Sequence, residues 1–348
     1  GIRMELVEVI QKCINRNIIP AVPEKGSVGA SGDLAPSAHL ALAFLGRGHV
    51  YFNGRKLKSK SILKKEGIKP FNLKAKEGLS LINGTQFMTS IAAITLIKTI
   101  DLLNYSDLIA SASIECISGR RTPYNEEIHQ LRPYRGQIDS AAKIRNSLKG
   151  SKATESKRVQ DPYSFRCSPQ VHGAVREIIS FAERMLDIEM NSVTDNPIVT
   201  DRNILSGGNF HGEPVAFVID FLKIGLSEIA SISERRMTHL MNPELTGLNA
   251  FLAENPGTDS GYMIPHTTAA ALVSRNKNLA TPSSVDSIPT SLDQEDHVSM
   301  GMNGALSLME VFENTANVLA IELISASQGI RRKSLDDISD ELRDFLDP

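Results

Sequence analysis

The sequence has no tryptophan and only three cysteines, Cys13, Cys116 and Cys167, in 348 residues. It contains no CxxC pair and no Cys/His set at zinc spacing, which excludes a disulfide framework or a zinc module as the basis of the fold. So sparse and odd a cysteine count suits a reducing compartment and implies a cytoplasmic protein. There is no signal-peptide pattern and no run of 18 apolar residues, so no membrane span or membrane partner is expected. Neither sign of charge predominates: 38 Lys+Arg stand against 40 Asp+Glu, a net charge of −2. Nucleic acid and anionic lipid both call for a basic field, and none is present. The Lys-rich stretch 55–65 reads as a solvated loop. The eight histidines are scattered, so no metal is expected. No Gly-Lys-Ser/Thr phosphate loop occurs, so no nucleotide is expected. Apolar residues at 41% are enough for a substantial core.

The most distinctive stretch is residues 26–36, Gly-Ser-Val-Gly-Ala-Ser-Gly-Asp-Leu-Ala-Pro. Gly29 and Gly32 reach φ > 0 without steric cost, so the backbone around Ser31 can fold back on itself. Three readings are open: a plain turn, an anion cradle before a helix, or a self-made electrophile. In the third, the Gly32 amide nitrogen attacks the Ala30 carbonyl carbon. Loss of water and dehydration of Ser31 then leave a methylidene-imidazolone, an electron sink that no ordinary side chain supplies.

The rest of the sequence is mainly helical. A helix is predicted over 4–16 and another begins around Pro36. One convincing β element, residues 49–57, carries the Asn53-Gly54 hairpin signal. Apolar positions at spacings of three and four run from Ser168 to Glu189. Two further long runs, 214–241 and 299–328, are apolar on much of their circumference, as helices buried on several sides are. The fold expected is mainly α, a long-helix bundle with one small β-hairpin, divided into residues 1–116 and 117–348.

Several polar residues fit substrate chemistry. Arg166 offers a planar, bidentate partner for a carboxylate, and Tyr163 precedes it on the same polar segment. Asn83 opens an Asn-Gly-Thr turn. Glu295 lies among four polar residues at the head of an apolar helix, where acids also serve as caps. His211 reads as a structural hydrogen-bonding residue.

The segment 26–36 resembles the signature of the aromatic amino acid ammonia-lyases. The resemblance continues in order through Ala75-Lys-Glu-Gly-Leu, Asn83-Gly-Thr-Gln86, Gln160-Asp-Pro-Tyr163-Ser-Phe-Arg166, Asp195-Asn-Pro197, Ser206-Gly-Gly-Asn-Phe210-His and Gln294-Glu295-Asp-His-Val-Ser-Met300. It implies a long-helix bundle of the fumarase/aspartase type. The methylidene-imidazolone (MIO) would form from Ala30, Ser31 and Gly32, with no metal and no nucleotide. Asn83, Tyr163 and Arg166 would share the catalytic set, with Arg166 on the substrate carboxylate. Gln160, Asn196, Phe210 and Glu295 would line the substrate. The resemblance further implies a small amino acid substrate and a homotetramer with active sites shared between subunits. Histidine-specific members carry a glutamate at the position of Glu295, and phenylalanine-specific ones a glutamine. The implied reaction is therefore L-histidine to urocanate and ammonia. The alternatives are a phenylalanine or tyrosine lyase, an aminomutase, or an inactive helical fragment. The sequence starts and stops inside the family pattern, so the tyrosine that serves as the family's base is expected to lie outside it.

Overall fold

In a computed structural model describing residues 1–153, 155–333 and 335–346, the chain groups into two units that interleave in sequence. One comprises Gly1–Ala93, Arg184–Asp220 and Pro282–Leu306; the other comprises Ile94–Glu183, Phe221–Thr281 and the chain from Ser307. Neither coincides with 1–116 or 117–348. Four of the five boundaries fall inside long helices, Gln86–Cys116, Ser168–Met190, Glu213–Leu240 and Gly301–Arg331, and the fifth, after Thr281, follows the helix Met263–Leu279.

The first unit holds the expected hairpin. His49–Phe52 and Arg55–Lys58 pair antiparallel with Val50 opposite Leu57. Asn53 and Gly54 both take positive φ, 50° and 74°, which matches the right-handed twist of the strands they join. Ile19–Pro20 adds a third strand, with Ile19 opposite Tyr51. A second, two-stranded ladder of Ile198–Val199 with Ile204–Leu205 supplements the expected hairpin. Beneath the hairpin, the helix Met4–Asn15 buries Leu6 and Cys13. These join Ile18, Phe44, Val50, Ile62 and Leu63 in one apolar cluster. Each large aliphatic side chain buried there contributes about 1.5–3 kcal/mol before entropy is counted. The helix Leu34–Phe44 carries Pro36 in its first turn, where the missing N–H costs no intrahelical bond.

The second unit is helical among its described residues. Its core gathers Ile114, Tyr124, Ile144, Phe165, Leu240, Ile330 and Leu342. Arg236 and Glu322 are fully buried within it and meet in a two-point ion pair, Nε–Oε1 at 2.5 Å and Nη2–Oε2 at 2.8 Å. Asp107, also buried, receives Arg176 and the His172 Nδ1 atom at 2.8 Å. Burial drives the His172 pKa down, although Asp107 opposes that shift.

The 31-residue helix Gln86–Cys116 is long and apolar enough to cross a membrane by length and composition, a property the sequence reading passed over. It buries Leu103, Ile109, Ala112 and Ile114 together with the charged Asp107 and Glu115, as a core helix does. On Glu213–Leu240, the residues Val218, Ile219, Leu222, Leu226 and Ile229 are buried as the pattern requires. Phe217, Phe221 and Ile224, at spacings of four and three, remain 46%, 43% and 39% exposed.

Candidate active site

The turn around Ser31 is built from consecutive left-handed residues. Ser31 and Gly32 have φ of 55° and 81°, and Gly29 has 82°. Gly32 N–H donates back to Gly29 O at 3.2 Å, closing a tight turn around Ala30 and Ser31. A Cβ on Gly32 would lie 2.1 Å from Gly84 O, so glycine is required there by contact as well as by conformation. The adjacent Asp33 N–H donates to Gly84 O at 2.8 Å and anchors the turn.

Asn83 is the keystone of this arrangement and is 4% exposed. Its Nδ2 donates to the Ser31 carbonyl at 2.6 Å, and its Oδ1 accepts from Asn196 N–H at 2.7 Å. Asn196 Oδ1 in turn accepts from Gly207 N–H at 2.7 Å. Among the described residues, the donor on Ser31 O is thus Asn83. Glu295 approaches from the other side and accepts from Ser31 Oγ at 2.5 Å.

Asp33 precedes the helix Leu34–Phe44 but does not cap it with its side chain. Its carboxylate turns inward to accept from Ser27 Oγ and Met88 N–H, both at 2.9 Å. Burial pushes its pKa from 3.8 up to about 6, against those two donors.

The structure therefore brings together Ala30, Ser31, Gly32, Asn83, Asn196 and Glu295 in the first unit. Phe210 belongs to the same unit, half-buried on the loop before Glu213–Leu240. Gln160, Tyr163 and Arg166 belong to the second unit and form a cluster of their own. The Arg166 guanidinium lies 4.5 Å from the centroid of the Tyr163 ring. Its Nη2 donates to Gln160 Oε1 at 3.1 Å and its Nε to Asp161 O at 3.1 Å. A guanidinium has five N–H donors, so this anchorage leaves some for an anion. The short helix Tyr163–Arg166 that carries them is itself pinned: Tyr124 OH donates to Phe165 O at 3.0 Å, and Arg236 Nη1 to Ser164 O at 3.4 Å.

The sequence reading did not single out Thr290 and Ser291, whose hydroxyls both reach Glu295. It also set His211 aside. His211, Glu213 and His297 place ligand-type atoms within 4.8 Å of one another. However, His211 Nε2 lies 3.2 Å from His297 O, and its Nδ1 accepts from Glu213 N–H at 3.3 Å. Both ring nitrogens are thus engaged, and the two rings stack at 5.6 Å. These contacts engage His211, whereas Glu213 Oε2 is buried without a hydrogen-bond partner.

A profile of the aromatic amino acid lyases matches residues 1–347. The chain belongs to this family. Aromatic amino acid lyases with a resident MIO draw it from the chain itself, and residues 30–32 fit that group. The left-handed turn, the close approach of Gly32 to Gly84 and the Asn83 donor on Ser31 O are all in place. Over 335 residues the chain is 48% identical to the histidine ammonia-lyase of Alkaliphilus oremlandii, covering 95% of this chain and 66% of that one. It is 47% identical over 350 residues to the histidine ammonia-lyase of Bacillus cytotoxicus, covering 99% and 69%. The crystal structure of histidine ammonia-lyase from Trypanosoma cruzi matches with a TM-score of 0.92 at 42% identity, over 99% of this chain and 66% of that one. A tyrosine aminomutase from Streptomyces globisporus matches with a TM-score of 0.92 at 35% identity, over 97% and 69%. The chain thus spans about two thirds of the length of these relatives.

Proposed function

We propose that the protein is an ammonia-lyase that converts L-histidine to urocanate and ammonia. The observation that carries this reading is Glu295, an acid whose Oε1 is aimed at the reacting turn. Before condensation the Ser291, Ser31 and Thr290 hydroxyls hold its carboxyl below the usual range, with burial opposing them, and Ser291 and Thr290 remain once the Ser31 hydroxyl is lost. An ionised carboxylate accepts the ring N–H of an imidazole. Against an apolar phenyl it would lose that partner, at the cost of an unpaired charged group. The names of the relatives support the same substrate.

The methylidene-imidazolone supplies the electrophile that makes the amine a competent leaving group. The other roles fall to side chains of this chain. Arg166 binds the substrate carboxylate in a fork, oriented by Gln160 and by stacking on Tyr163. Asn83 donates to Ser31 O, where negative charge would gather as the electrophile accepts electrons. Glu295 orients the ring. Asn196 fixes the Asn83 amide so that its nitrogen, not its oxygen, faces Ser31.

We infer a homotetramer with shared active sites. The exposed stripe Phe217, Phe221 and Ile224 supports an apolar partner face on that helix. The substrate is tested by assaying the full-length protein on histidine, tyrosine and phenylalanine, following the unsaturated acid by absorbance. Histidine turnover well above the other two is expected. Preferential turnover of tyrosine, or a β-amino acid product, would replace this reading with an aminomutase or tyrosine lyase.

A further inference from the structure

Glu295 is held by a turn that the chemistry described so far does not use. Thr290 N–H donates to Glu295 O at 3.0 Å, and Glu295 N–H to Thr290 O at 3.3 Å. Between them Ser291, Leu292 and Asp293 take φ of 53°, 56° and 65°. Non-glycine residues rarely adopt this conformation, and here three occur in succession. The turn folds residues 290 and 291 back onto the carboxylate. Thr290 Oγ1 donates to Glu295 Oε2 at 2.9 Å, and Ser291 Oγ donates to the same oxygen at 2.5 Å. The other oxygen, Oε1, takes only the Ser31 hydroxyl among the described residues.

We propose that Thr290 and Ser291 are positioning residues: they fix Glu295 through Oε2 so that Oε1 faces Ser31 and, once the Ser31 hydroxyl has left, the ring N–H of the substrate. This rests on the histidine reading above. The condensation of residues 30–32 expels two waters. The Ala30 oxygen leaves with the amide hydrogens of Ser31 and Gly32, and Ser31 Oγ leaves with its own hydrogen and the Cα hydrogen. The second loss removes the only donor on Oε1 and none of those on Oε2. Maturation thereby opens the one oxygen that an imidazole N–H can use, while the carboxylate stays anchored. No cation among the described residues pairs with Glu295, and its charged neighbours along the chain, Asp293 and Asp296, are acids. Hydroxyl donors therefore carry the task of keeping it ionised.

The test uses the full-length protein with Ser31→Ala, which lacks both the hydroxyl and the electrophile and so binds without turnover. Calorimetry measures histidine and phenylalanine binding to it and to the same protein carrying Thr290→Val and Ser291→Ala. Histidine binding should weaken about tenfold, the loss that one hydrogen bond to a charged acceptor represents at its weak end. Phenylalanine binding should be unchanged, and the acid limb of histidine binding should move to higher pH. A form with Ser291→Ala alone, which keeps Thr290, should recover most of the affinity. Equal weakening for both amino acids, or none for histidine, overturns the positioning role. If Ser31→Ala itself does not prefer histidine, the substrate reading fails, and that outcome is distinct from the other two.

Discussion

Replacing Asn83 by alanine removes two hydrogen bonds with different consequences. The first is the 2.6 Å donation from Nδ2 to Ser31 O, the oxygen on which charge would gather as the electrophile accepts electrons. Loss of one such preorganised donor lowers kcat by about 10²–10³, or about 2.7–4 kcal/mol of transition-state stabilisation. The second is the 2.7 Å bond that Asn83 Oδ1 accepts from Asn196 N–H. Losing it costs about 1 kcal/mol of stability, since Asn196 is only half-buried. Asn83→Asp separates the two effects, because it keeps the acceptor for Asn196 and removes the donor. The assay is steady-state turnover of histidine by the full-length protein, with unfolding followed in parallel. Both variants should lose kcat by at least a hundredfold, with KM changing much less. A loss below tenfold in either variant would refute the assignment of Asn83 to the Ser31 oxygen.

The buried Arg236–Glu322 pair should behave as a structural clamp. Arg236→Met strands Glu322 without its cation and should cost about 3–5 kcal/mol in denaturant unfolding, while Arg236→Met with Glu322→Leu recovers most of it. A loss under 1 kcal/mol for the single variant would contradict this account. Asp33 should leave a pH signature, since its folded pKa of about 6 exceeds the ordinary 3.8. Its contribution is then fullest below pH 3.8 and is lost as pH rises through about 6, by about 3 kcal/mol in all. The stability of the unaltered protein relative to Asp33→Asn should fall by that amount between pH 4 and pH 7, and a constant difference would refute it.

Periodicity was enough to find the helices Ser168–Met190, Glu213–Leu240 and Gly301–Arg331, because their apolar spacing is continuous. Gln86–Cys116 escaped it for a physical reason. It buries Thr95, Thr99, Ser106, Asp107, Ser111 and Ser113 beside its apolar residues, so polarity does not mark its wet side. The ladder of Ile198–Val199 with Ile204–Leu205 is two residues long on each strand, too short for an alternating pattern. In the site, the glycines announced the turn at Ser31, whereas the roles of Arg166 and Glu295 came from the family resemblance, residue type alone leaving Glu295 as a helix cap. The seat of Glu295 was not legible, because Ser291, Leu292 and Asp293 adopt left-handed backbone without a glycine to signal it. Nothing in the sequence marks where the Asp33 carboxylate points. Only the positions of Ser27 and Met88 show that its carboxylate faces inward.

The central claim is that residues 30–32 condense into the electrophile. The most direct measurement is the mass of the proteolytic peptide containing them, taken from the purified full-length protein. The structure predicts a peptide lighter than its sequence by two waters, and a Ser31→Ala peptide at its full calculated mass. An unmodified Ala30-Ser31-Gly32 peptide from protein that turns over histidine would contradict it.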